Sequence, residues 1–239
     1  MPRDSVSGFC ASAVLGLLLI AAPVSVATQS ANKPRPPSPS GASAAQVGGS
    51  YEDGRESLKQ FTDPKERVLF ATRGPLYVGG KWIEITYGRP LKRGRNLWGE
   101  GTEYGRALNA GAPVWRAGAN VSTRLTTEAV LVFNTTRVSP GSYTVFVDLK
   151  PDSWTFILTT WPVQTESYDP SNKAAVWGAY GYTPSSDVVR VPMTLERSRF
   201  AMEQLTWNFA DMSDTRGTLL LSWDIYLASV PFGIDLAGK

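Results

Sequence analysis

The chain of 239 residues contains no histidine and a single cysteine, Cys10. One cysteine cannot form an intramolecular disulfide, so a hydrophobic core has to hold the fold. Without imidazole, neither a Ser-His-Asp nor a Cys-His arrangement can be assembled. Zinc and copper sites built on imidazole or several thiolates are excluded for the same reason. Any catalysis would fall to carboxylates, Tyr, Lys or Arg, or to an oxygen-ligated cation, and no Asp-rich loop of the EF-hand kind is present. No metal and no cofactor are therefore expected.

Long apolar runs are also scarce. The most extended lies between Ala13 and Val24, interrupted by Gly16 and Pro23, preceded by Arg3 and followed by small residues. This layout reads as a secretory signal peptide over residues 1–27, with Ser25 and Ala27 at the small-x-small positions and cleavage after Ala27. The run is too short for a spanning helix, which needs roughly 20 apolar residues. Cys10 precedes the run, where it cannot be the lipid-modified residue of a lipoprotein. The expectation is an exported protein, periplasmic or extracellular, with no membrane span in the mature chain. Residues 28–57 begin with the Pro/Ser/Gly-rich "TQSANKPRPPSPSGASAAQVGGS" and offer little to bury, so they read as a disordered tether. Residues 58–239 are expected to form one domain.

Strand signals dominate that domain. In "LYVGGKWIEITY", Ile83, Ile85 and Tyr87 alternate with Trp82, Glu84 and Thr86, and Gly79-Gly80 has the form of a two-residue hairpin turn. Further β runs are "VSTRLTT", "AVLVF", "SYTVFVDL", "WTFILTTW", "DVVRVPMTL", "EQLTWNF" and "TLLLSWDIYLASV". They are rich in β-branched and aromatic residues and separated by turn signals such as Pro140-Gly141. With no amphipathic helix between them, they predict an all-β fold, an antiparallel β-sandwich, with a closed or partly open β-barrel as the alternative. Residues 88–118 do not fit the pattern: they form a long Gly/Arg-rich loop, of the kind that is usually functional or disordered.

The segments "ITYGRPLKRGRNLWG", "VWRAGAN", "SPGSYTVF", "WTFIL", "WGAYGY" and "DVVRV", with Tyr104-Gly105 between the first two, resemble in order and spacing a group of secreted bacterial proteins. That group is known as a domain of unknown function, number 2911. The resemblance runs from about Leu76 to about Phe232 and implies a bacterial, exported, β-rich protein with no assigned activity. Two departures stand out: "RALNAGAP" is inserted before "VWR", and "VSTR" follows "GAN" where the group has an acidic residue and two threonines. The insertion falls inside the loop, where it could alter specificity or access.

From Gly88 to Arg124 there are seven cations and two acids, a local net of +5, whereas the whole chain carries only +3. Arginine's planar fork suits bidentate binding of carboxylate, phosphate or sulfate. If Arg89, Arg95, Arg116 and Asn120 converge, with Arg93 beside them, they form an anion-binding pocket walled by Tyr87, Trp98 and Trp115. Trp177 and Tyr180, which no strand uses, are further ligand-facing candidates. The expected function is noncatalytic binding of a small anionic or polar ligand. Against this stands the plain reading that each arginine pins the loop through a nearby carboxylate or lies in solvent.

Two other classes stay open. A polysaccharide-binding module or carboxylate-dependent hydrolase would use loop tryptophans Trp98, Trp115 and Trp177, since Trp82, Trp154, Trp207 and Trp223 fall in strand patterns typical of a core. Its acids would come from Glu84, Asp148, Asp187 and Asp224, although no spacing marks a catalytic pair. A structural role in envelope assembly is the third. Nucleic acid is not expected as a partner, because basic charge outside the loop is too sparse. If the source is bacterial, as the resemblance implies, the acceptor patterns at Asn120 and Asn134 are chance matches.

Overall fold

In the computed structural model, residues 38–52, 62–65, 75–164 and 179–237 are described. The signal peptide and Trp177 lie outside the described residues. Eleven strands are described: β1 (Ser40–Val47), β2 (Ser50–Glu52), β3 (Leu76–Val78), β4 (Lys81–Gly88), β5 (Thr123–Thr127), β6 (Val130–Phe133), β7 (Thr136–Val138), β8 (Gly141–Lys150), β9 (Ser153–Thr159), β10 (Asp187–Ala210) and β11 (Arg216–Asp235). Nine of them form one antiparallel sheet in the order β1-β4-β5-β8-β9-β10-β11-β6-β7. No helix among the described residues is long and apolar enough to cross a membrane.

This sheet folds over on itself because β10 belongs to two layers. Its first part pairs with β9 through Asp187–Met193, and its remainder pairs with β11 through Thr194–Ala210. The β6 side thereby lies over β9, where Phe133 stacks on Phe156 with ring centroids 5.5 Å apart. Trp207 of β10 packs edge-on to Phe156 at 6.2 Å and donates from its indole N–H to Ala117 O at 2.9 Å. The result is sandwich-like. It is not the closed barrel, since the sheet ends at β1 and β7 without joining them.

Residues 40–52 correct the tether expectation. Gly, Ala and Ser dominate this stretch and carry almost no hydrophobic signal, yet β1 pairs with β4 along its whole length, Ser40↔Gly88 to Val47↔Lys81. What selects the strand is the open hydrogen-bonding edge of β4, which would otherwise face solvent unpaired. Tertiary contacts secure it: Ser43 Oγ donates to Trp207 O at 2.7 Å, and Val47 is buried. The Gly79-Gly80 hairpin is corrected too. β3 pairs with β2 in the same register in which β4 pairs with β1, so Gly79 and Gly80 interrupt one ladder instead of reversing the chain.

The inward face of β4 is Ile83, Ile85 and Tyr87, as the alternation requires. In β11 the alternation breaks. Leu219, Leu221 and Trp223 are buried, then Asp224, Tyr226, Ala228 and Val230, so the parity flips at Asp224, whose φ is 52°. This is a β-bulge, and Asp tolerates the left-handed backbone better than most residues. On the partner strand the register shifts twice, between Arg197 and Met202 and between Met202 and Thr206. Asp224 therefore points inward, away from the face that simple alternation would share with Ser222.

If β1 is integral, shortening the compact unit Arg35–Lys239 to begin at Tyr51 removes Val47 from the core, a loss of about 1.5–3 kcal/mol. The expected outcome is a melting temperature lower by about 5–10 °C, measured by thermal unfolding. An unchanged transition would show that β1 is dispensable.

Candidate functional site

The start of the 88–118 loop docks on the bulged part of β10. Lys92 N donates to Glu203 O at 2.7 Å, Leu205 N donates to Pro90 O at 3.0 Å, and Leu91 bridges to Gln204. Gly88 is needed for this path, since a Cβ there would overlap the Ala119 carbonyl. The charged side chains then go to separate partners. Arg89 donates through Nη2 to Thr206 Oγ1 at 3.1 Å and through Nε to Leu205 O at 3.4 Å. The Arg93 backbone N–H reaches the Glu203 carboxylate at 2.7 Å, with the side chain exposed. Arg95 folds back on its own turn, donating to Lys92 O at 3.0 Å and Leu91 O at 2.5 Å. Asn120 Nδ2 donates to Ser38 O at 2.9 Å and so anchors the entry to β1.

Lys92 makes the deepest of these contacts, an ion pair with the inward-turned Asp224. The other Asp224 oxygen accepts the Trp98 indole N–H at 3.0 Å. Trp98 is the hub of a buried aromatic group: its ring lies 4.8 Å from Trp154, 4.9 Å from Tyr226, 6.1 Å from Trp223 and 6.3 Å from Trp115. Trp115 is fastened from the other side by paired backbone hydrogen bonds with Val147, at 2.9 and 2.8 Å. Tyr87 is buried with its hydroxyl on Trp207 O at 3.1 Å. At the margin, Trp154 donates to Tyr104 Oη, while burial and the contact with Tyr226 push the Tyr104 phenol well above its ordinary range.

The expected roles of the tryptophans are met only in part: Trp154, Trp207 and Trp223 are buried as expected. Trp98 and Trp115, in loop sequence, are core residues, whereas Trp82, in a strand, is 48 % exposed. The inward-turned Asp224 holds Trp98 in the core, which local composition does not show, whereas Trp82 stands on the outward face of β4, opposite Ile83 and Ile85.

Arg116 has a different environment. It lines a cavity of about 240 Å³ together with Ala107, Leu108, Asn109, Ala110, Val114 and Ala179, and is the one charged group among the described lining residues. Its Nε donates to Gly118 O at 3.2 Å. Burial lowers its pKa to about 10, with the nearby Tyr180 pulling weakly the other way. Asn109 places a buried side-chain carbonyl oxygen here with no hydrogen-bond partner among the described residues. Tyr180, outside the lining, donates from its hydroxyl to the lining residue Ala110 at its carbonyl oxygen. Asn109 went unnoticed in the sequence, and the only clue was its place in the inserted "RALNAGAP", which forms the single helical turn Arg106–Asn109.

The candidate acids are mostly engaged. Arg190 reaches Asp148 at 3.2 Å and Asp187 at 3.0 Å, and Tyr182 donates to Asp187 at 2.6 Å. Burial and that carboxylate push the Tyr182 phenol well up. No group of three or more metal-ligating side chains occurs among the described residues.

The fold and these contacts define a β-sandwich-like protein with an ordered, inward-folded arginine loop and a small cationic cavity behind it. A family model described as Protein of unknown function (DUF2911) matches residues 72–232, well over half the chain, and the chain belongs to that family. No curated protein and no solved structure matches.

Breaking a buried ion pair on one side leaves its partner charge stranded, at about 3 kcal/mol or more. Asp224→Ala is therefore expected to destabilise by about that amount in urea unfolding. Arg95→Ala, which removes an exposed contact, is expected to change stability by less than about 0.5 kcal/mol.

Proposed function

We propose that the protein binds a small anionic or polar ligand, without catalysis, in the cavity at Arg116, after export to the periplasm or beyond. The observation that carries the reading is a largely buried guanidinium on the wall of a concave cavity whose lining offers both polar and apolar contact. A desolvated cation gains strongly from an anion that replaces lost hydration. Asn109 Oδ1 offers an acceptor for a ligand hydroxyl or N–H, and Ala107, Leu108, Val114 and Ala179 offer apolar contact. About 240 Å³ lies below the usual range for drug-sized ligands, which favours a compact monoanion such as a short hydroxycarboxylate. The original four-residue convergence is replaced by Arg116 and Asn109, with Tyr180 in support. A hydrolase reading gains nothing from acids already committed to Arg190 and Lys92.

Arg116 has a folded pKa below its unfolded value, so between about pH 10 and the ordinary guanidinium range the unfolded chain holds the extra proton. Its burial therefore subtracts stability at neutral pH, and that penalty fades as pH rises through about 10. Anion binding has the opposite dependence, since it needs the charge. A thermal-shift screen with lactate, phosphate and sulfate is expected to raise the melting temperature at pH 7, with the gain lost above about pH 10. Arg116→Met is expected to fold and to lose the ligand-dependent shift. Equal shifts in Arg116→Met and the parent protein would eliminate this site.

A further inference from the structure

The outer face of the sheet holds a second depression, of about 420 Å³, lined by Ala44, Trp82, Glu84, Thr126 and Glu128. Its floor is built by register. Ala44 of β1 and Thr126 of β5 lie on either side of Glu84, and the small Ala44 side chain leaves the Glu84 carboxylate accessible from the β1 side. Glu128 is fixed at the end of the row, where its carboxylate accepts the Trp82 backbone N–H at 2.7 Å. The Trp82 indole stands 48 % exposed. A depression with an exposed ring at its side has room for a ligand.

Charge selects what that is. The lining has two carboxylates and no base, within a chain whose net charge is +3. Neither Glu84 nor Glu128 forms an ion pair with a described residue. Arg124 sits one step along the same face, opposite Thr86, and is not paired with Glu84. Lys81 alternates to the other side and donates to Leu236 O at 2.9 Å. An indole face beside unneutralised carboxylates is the chemistry that holds an organic ammonium group, through the ring quadrupole and Coulomb attraction together. Because all four polar or aromatic groups stand on or beside paired strands, the depression is preorganised.

We infer that this face is a binding site for a small organic ammonium ion, with Trp82 as the aromatic wall and Glu84 and Glu128 as counter-charges. The inference is independent of the Arg116 cavity, which takes the opposite charge.

The test is a titration of the folded protein with choline, followed through the indole N–H resonances, beside 3,3-dimethyl-1-butanol, its neutral isostere. Saturable choline binding in the millimolar range is expected, with at least about tenfold weaker binding in Trp82→Leu and about fivefold weaker in Glu84→Gln. Both positions are exposed, and unchanged melting temperatures check that the variants fold. The inference is overturned if the neutral alcohol binds as tightly as choline, if Trp82→Leu binds choline normally, or if no saturation is seen below about 50 mM.

Discussion

The inward turn of Asp224 is the constraint on which the rest of the domain depends. A left-handed backbone at one residue of β11 moves a carboxylate from the solvent face to the core face, where an unpaired charge would be prohibitively costly. Lys92 and the Trp98 indole satisfy it. Those two contacts draw the arginine loop across the bulged part of β10 and bring Trp98 into contact with Trp154, Trp223 and Tyr226. The same bulges set the direction of β10, which must run in both layers of the sandwich. A segment that reads as loop is thereby a structural wedge, with Leu97, Trp98 and Trp115 in the core.

This arrangement explains the local excess of positive charge without assigning all of it to a ligand. Arg89 and Arg95 donate to side-chain hydroxyl and backbone carbonyl oxygens, Lys92 neutralises Asp224, and Arg93 remains in solvent. Only Arg116 combines withdrawal from water with a cavity. Burial lowers its pKa, and its place on the wall of a concave cavity is the geometric basis for proposing an anion there. The Trp82 face has the complementary character, with acids and an exposed ring where the chain as a whole is basic. The Arg116 cavity and the Trp82 face lie on different elements, so each presents its own sign of charge.

Much of the architecture was legible in the amino-acid order. Period-two alternation located the inward residues of β4, and the density of turn signals between short β runs marked an antiparallel sandwich. Family motifs, too, were readable as strings. What misled was any inference that equated loop sequence with exposure or strand sequence with burial: Trp98 and Trp115 are core, and Trp82 is not. Ser40–Val47 was unreadable as a strand because pairing with β4, and not its own side chains, provides the reason for it to be extended.

The sequence by itself determined the absence of imidazole and disulfide chemistry, the β character of the domain and the clustering of cations between Gly88 and Arg124. These follow from composition and local periodicity, which need no partner to be meaningful. Only the tertiary structure decided which cations were already satisfied, which tryptophan faced solvent and where a buried polar atom lacked a partner. The satisfied cations above all depend on contacts between segments far apart in the chain, such as Lys92 with Asp224 across 132 residues, and no local pattern encodes a relation at that distance.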